Sequence, residues 1–169
     1  TGEYVFGVQR LSDFISVIDG RDPNVLFDNG EISSSADLLL ARIPIGDKNV
    51  RNIPRDIAIT SDGSRAYTTL QNTGKIALVD TMVLQQVDIN PETEDVIDSI
   101  DLGDDASPRA IVIDSRDKYA YISDARMGII YVIDVDATSS KYHQLVEKIQ
   151  VEPAPFGLRE MAISSDGRR

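Results

Sequence analysis

A Pro-Arg pair opens two apolar stretches, at Arg55 in "PRDIAIT" and at Arg109 in "PRAIVID", and a Leu-Arg pair opens a third, at Arg159 in "LREMAIS". A guanidinium is planar, always charged, and grips a carboxylate with two parallel hydrogen bonds. Three of them at equivalent places would make a local positive field in a chain that carries 28 acidic against 17 basic residues, a net charge of −11. The chemistry to expect there is capture of a small anion such as a carboxylate. The structural alternative is that each arginine pairs with an acidic neighbour, Asp56 or Glu160 among them, or caps loop carbonyls.

Oxygen ligands come next. "IDGRDPNVLFDNGE" offers Asp19, Asp22, Asn24, Asp28, Asn29 and Glu31, and "VDINPETED" offers Asp88, Asn90, Glu92, Glu94 and Asp95. Such side chains suit Ca²⁺, but neither loop has the alternating ligands, central glycine and terminal glutamate of an EF-hand. Turn formation and solvation account for both loops, so no cofactor is expected, with Ca²⁺ as the alternative. The carboxylate pairs Asp104–Asp105 and Glu94–Asp95 are sequence neighbours. On extended chain neighbours point apart, which does not favour paired acid-base work.

His143, the only histidine, lies in the polar run "SSKYHQL" with no nucleophile motif near it. It is expected at the surface rather than in a Ser-His-Asp arrangement. The chain has no cysteine, which excludes a disulfide, a zinc-thiolate site and a cysteine nucleophile. Its acidity argues against nucleic acid and against docking on anionic lipid. No apolar run approaches the ~20 residues that span a bilayer, and no leader is visible at Thr1.

These side chains are carried on a repeated unit. Residues 54–80 read "PRDIAITSDGSRAYTTLQNTGKIALVD", and residues 108–134 read "PRAIVIDSRDKYAYISDARMGIIYVID". Pro-Arg, Ile-x-Ile, Ala-Tyr and an apolar triplet ending in Asp recur at matching offsets. The glycine of "SDGS", Gly63, has counterparts at Gly2 and Gly167, and Asp117 takes its place in the middle copy. The units are therefore approximately 2–62, 63–116 and 117–166, cut at the same point of the repeat at both ends.

Each unit reads as strands. "DIAIT", "AIVID" and "EMAIS" are short apolar runs with β-branched residues, "SDGS" and "SDGR" are turn chemistry, and "RAYTTL" and "YAYISD" are second strands. Third strands follow at "FISVID", "KIALVD" and "IIYVID", and fourth strands at "LLARIPIG", "DVIDSIDLG" and "LVEKIQV". Phe6, Tyr67 and Tyr121 share one strand position and are expected in the core. "SSADLLLARI" is the one candidate for a short helical turn, with its second half strand, and residues 81–88 read as an insertion. The fold class is all-β: blades of four antiparallel strands, about three repeats of a β-propeller.

The segment "PRDIAITSDGSRAYTT…TGKIALVD" resembles the YVTN repeat, a Pro-x-x-Ala-x-Ser-Pro-Asp-Gly-x-x-x-Tyr-Val run followed by Val-x-Val-Ile-Asp. It departs from that pattern at Thr68-Thr69 and Ile122-Ser123, in the missing proline of "SSDG", and in "DSRDK", which lacks the glycine. The resemblance implies a bacterial or archaeal protein that is periplasmic, secreted or on the cell surface. It implies a binding module more than an enzyme, the alternative being part of a lactonase-like or quinone/haem-linked dehydrogenase propeller. In such a ring Arg55, Arg109 and Arg159 would line one mouth of the central channel.

Known closed rings use about four to eight blades, so three units leave two blade faces uncovered. Each apolar side chain on such a face is worth roughly 1.5–3 kcal/mol on burial. The partners expected are further propeller blades or another copy of the chain. A protein or small anionic ligand is also possible on the loops and mouth; nucleic acid and membrane insertion are not expected.

Overall fold

The computed structural model describes residues 3–93, 96–153 and 156–164. Three antiparallel sheets follow one another along the chain. The first contains β1 (Tyr4–Val8), β2 (Phe14–Asp19) and β3 (Leu39–Pro44), in that order. The second runs β4 (Pro54–Ile59), β5 (Arg65–Leu70), β6 (Lys75–Asp80), with β7 (Gln85–Val87) and β8 (Ile100–Asp101) both paired to β6. The third runs β9 (Pro108–Ile113), β10 (Tyr119–Asp124), β11 (Ile129–Asp134) and β12 (Leu145–Gln150). The repeat markers Gly2 and Gly167 lie outside the described residues.

Side chains alternate across a strand, and the middle sheet uses both of its faces. Ala66, Leu70, Ala77 and Val79 pack with Ile15, Val17, Ile43 and Ile45 of the first sheet. Tyr67, Ile76 and Leu78, on the opposite face, pack with Ile111, Ile122, Tyr131 and Ile133 of the third. The apolar run "KIALVD" is thus the mark of a strand buried on both sides. Tyr67 is fully buried between sheets, while Phe6 and Tyr121 are half-buried.

The sheets are also joined by polar links. β4 and β9 each shift register against their partner strands, between Pro54 and Ile57 and at Ile122/Asp124. At the first shift Thr69 Oγ1 accepts from the Asp56 amide at 3.0 Å and donates to the Arg109 carbonyl of the next sheet at 2.9 Å. At the second, Ser123 Oγ accepts from the Ala110 amide at 3.0 Å and donates to the Arg159 carbonyl at 2.9 Å. Residues 158 and 159 are therefore held on the third sheet as β9 is held on the second, with the Leu158 amide donating to Asp124 O at 2.7 Å.

Two features differ from the sequence reading, besides "EMAIS", whose residues 160–164 form no strand. The fourth strand of the second sheet is split: Gln85, Gln86 and Val87 oppose Asp80, Val79 and Leu78, while Ile100 and Asp101 oppose Ile76 and Lys75. In the third sheet one continuous strand, β12, covers the same ground. Residues 81–88 are thus not an insertion; the extra chain is 88–99, between the two halves of the edge strand. The second difference is a helix, α1 (Pro23–Asp28), inside the connection read as polar loop. Asp22 caps it, accepting from the Asn24 amide at 2.9 Å, and Pro23 supplies a helical φ at its first turn. The helical turn expected near Ser34 is a 3-10 turn, Ser35–Leu38, and β3 follows it directly.

Candidate functional site

Arg55 stands on β4 and Arg109 on β9, at equivalent places of adjacent sheets, and Arg159 lies one step further on. Arg55 Nε donates to Gln71 Oε1. Arg109 Nη2 lies 3.4 Å from Glu160 Oε1, and that glutamate is 80% exposed. Arg109 Nε is buried and has no hydrogen-bond partner. Partial burial lowers the pKa of the Arg55 guanidinium, and the positive charges of Arg10 and Arg109 lower it further. The structure thus brings Arg10, Arg55 and Arg109 into one electrostatic neighbourhood.

Acidic neighbours do little to quench it. Asp56, the carboxylate beside Arg55 in sequence, accepts from the amides of Ile57 and of Ile111, each at 2.9 Å. It links two sheets instead of pairing with Arg55. An exposed pair such as Arg109–Glu160 adds little stability. Sequence reasoning missed Arg10 because no Pro-Arg motif marks it. The available signal was the repeat alignment, which sets Arg10 on the position of Gln71, the residue that bonds Arg55.

The acidic loops are largely committed to local bonds. Arg21 lies 2.7 Å from Asp19 Oδ2 and 2.9 Å from Glu31 Oε2, and its hydrogen bonds hold the Asp19 carboxyl below the usual range. Asp88 accepts from the amides of Asn90 and Asp98, each at 3.0 Å. Glu94 and Asp95 lie outside the described residues. Among the described residues no group of three or more His, Asp and Glu is arranged to hold a metal ion.

His143 is not the surface residue expected. It is half-buried, takes a left-handed φ of +64°, and shares a 3.2 Å hydrogen bond between its Nε2 and the Tyr67 hydroxyl. Tyr142 stacks on its ring at a centroid distance of 3.6 Å. Burial, with the Arg65 charge adding to it, lowers the imidazole pKa to about 4. The same burial raises the Tyr67 phenol well above its ordinary value. This is a neutral wedge between sheets, and no serine or carboxylate stands in a relay with it in the hydrogen bonds described.

No family model matches the chain, and no curated protein sequence matches it. Solved structures do. Hydrazine synthase of Kuenenia stuttgartiensis superposes with a TM-score of 0.70 at 21% identity, over 99% of this chain and 37% of that one. The periplasmic gluconolactonase of Pseudomonas aeruginosa gives 0.70 and 21%, over 99% and 42%. AztD of Citrobacter koseri gives 0.56 and 16%, over 94% and 36%. The chain thus spans well under half the length of these proteins. No helix of the described residues is long and apolar enough to cross a membrane. What these likenesses establish is architecture: the sheets are blades of a β-propeller-type fold.

Proposed function

We propose that the chain is a non-enzymatic binding module of an extracytoplasmic protein, and that Arg10, Arg55, Arg109 and Arg159 at one mouth of its blades take a small polycarboxylate. The observation that carries this reading is the convergence of the Arg10, Arg55 and Arg109 charges in a chain of net −11, with one exposed carboxylate to offset them. An anion that bridged the guanidiniums would relieve their repulsion and engage the unpartnered Arg109 Nε. The uncovered blade faces are closed by further blades or by another copy of the chain. The periplasmic description of the Pseudomonas protein supports the extracytoplasmic placement.

Calorimetric titration with citrate at low ionic strength tests it. Binding that weakens at least about tenfold in Arg55→Gln/Arg109→Gln and falls steeply with salt is the expected result. Unchanged affinity in the variant carrying Gln at Arg55, Arg109 and Arg159 would overturn the reading.

The likeness to a gluconolactonase favours one second reading, part of a lactonase-type propeller enzyme with its site at the same mouth. Hydrolysis of gluconolactone above the spontaneous rate, lost on Arg109→Gln, would replace the first reading with this one.

A further inference from the structure

On the face that carries the arginines, the loops entering the second and third blades are pinned at equivalent points. The Ile45 amide donates to Asp13 O as the Leu102 amide donates to Gly74 O. The Gln71 amide donates to Ile53 O as the Ala125 amide donates to Ser107 O. Between the pins the loops differ. Residues 46–52 wind around the buried side chain of Asn52, whose Nδ2 donates to the carbonyls of Ile45, Asp47 and Val50. Residues 103–106 form a shorter loop, and Ala106 stands in the place of Asn52.

Beneath the shorter loop lies a cavity of about 290 Å³ between the second and third blades. That is the size of a small-molecule site rather than of a drug-sized one. Its second-blade wall is fixed in advance. Ile53 holds a left-handed φ of +55°, an outlier for a β-branched residue that persists only where the surroundings impose it. Here they do: the Gln71 amide holds Ile53 O at 3.1 Å, the Asn72 amide holds Asn52 O at 3.1 Å, and the Asn52 amide donates to Asp13 Oδ1 at 3.0 Å.

The facing wall carries charge. Asn72 Nδ2 donates to Arg51 O at 2.7 Å, and at the equivalent place one blade on Arg126 Nη2 donates to Asp105 O at 2.6 Å. A guanidinium stands where an amide suffices, and that bond uses one of its five donors. Asp104 lines the same cavity, is exposed, and forms no ion pair with Arg126 or with any other described residue. Ser107 is 6% exposed, with its amide held by Asp124 Oδ2 at 2.8 Å and its carbonyl by the Ala125 amide at 2.8 Å, while its hydroxyl has no protein partner.

We propose that this cavity binds a small zwitterion of the α-amino-acid type, its carboxylate on Arg126 and the Ser107 hydroxyl and its ammonium on Asp104 and Asn72 Oδ1. Opposite charges that share one cavity without neutralising each other match a ligand that carries both, and each contact is a charge-assisted hydrogen bond. The rigid Ile53 wall spares the ligand the cost of ordering it. Arg55 and Arg109 do not line this cavity, so the proposal does not rest on the arginine mouth.

L-alanine is the probe, titrated into the 169-residue chain and followed by amide NMR shifts, beside propionate, which lacks the ammonium, and ethylammonium, which lacks the carboxylate. Saturable shifts at Asn72, Ser107 and Arg126 are expected, with alanine at least about tenfold tighter than either fragment. Asp104→Asn, a change at an exposed carboxylate with no bond in the fold, should bring alanine down to the affinity of propionate. Arg126→Gln, which can keep a donor on Asp105 O, should bring it down to that of ethylammonium. Equal binding of alanine and either fragment to the unaltered chain would overturn the proposal. So would an absence of saturable shifts at these residues, or alanine affinity that Asp104→Asn leaves unchanged.

Discussion

Ser61 and Asp117 join two blades through their turns: the Ser61 amide donates to both carboxylate oxygens of Asp117 at 3.0 Å, and the Ser61 hydroxyl donates to Oδ2. Asp117 holds a left-handed φ of +52°, where Gly63 in the preceding blade holds +74°. A non-glycine residue in that region costs roughly 1–2 kcal/mol, less for Asp than for most. The strain is retained because the carboxylate does something that glycine cannot.

Substitution at Asp117 should separate strain from bonding. Asp117→Gly loses the inter-blade bonds and gains backbone ease, for a net loss of about 0.5 kcal/mol. Asp117→Ala loses the bonds and keeps the strain, for about 2 kcal/mol. Urea unfolding of both variants checks the order; alanine equal to or better than glycine would contradict it.

The hydroxyls of Thr69 and Ser123 are fully buried and each satisfies an amide on one side and a carbonyl on the other. Thr69→Val preserves shape and orphans both groups, so it should cost about 2–3 kcal/mol. Thr69→Ser keeps the hydroxyl and should cost under about 1 kcal/mol. Paired denaturation curves measure this, and near-equal losses would show that the methyl, not the hydroxyl, matters.

His143 gives the fold a pH window. Its folded-state pKa, about 4, lies below the ordinary 6.5, so between these values the unfolded chain binds the extra proton. Stability should therefore fall as the pH falls from 6.5 towards 4, and this contribution should level off below. The urea midpoint of wild type minus that of His143→Gln, followed across this range, isolates the effect from the many carboxylates. A difference that does not change with pH would refute the buried neutral imidazole.

Arg10 is exposed and adds repulsion to Arg55. Arg10→Gln should leave stability unchanged or raise it by a few tenths of a kcal/mol, while it weakens citrate binding. Parallel melting and titration experiments test both halves. A marked loss of stability would mean that Arg10 is structural.

The inner strands were legible in the sequence because burial on two faces leaves few solutions. "KIALVD" must place alternate side chains against opposite neighbouring sheets, and it does, while "IIYVID" turns Tyr131 and Ile133 towards the second sheet. The split edge strand was not legible, since an outer strand has one partner and a half-exposed face, and its register is weakly specified. "DSIDLG" was rightly placed at the edge, but Gln85–Val87 carries no strong strand signal. Helix α1 is too short for a periodicity, though Asp22 followed by Pro23 is a legitimate start signal. The role of His143 depends on a loop folding over the neighbouring blade, which a local reading of "SSKYHQL" does not contain.

The divided edge of the second blade has a consequence for how such a chain can change. β7 and β8 are each fixed by their own pairing with β6, so the length of residues 88–99 between them is not set by the sheet. That stretch can grow, shrink or acquire a new epitope while the blade spacing stays constant, which makes it a natural port for grafted sequence on an otherwise rigid frame.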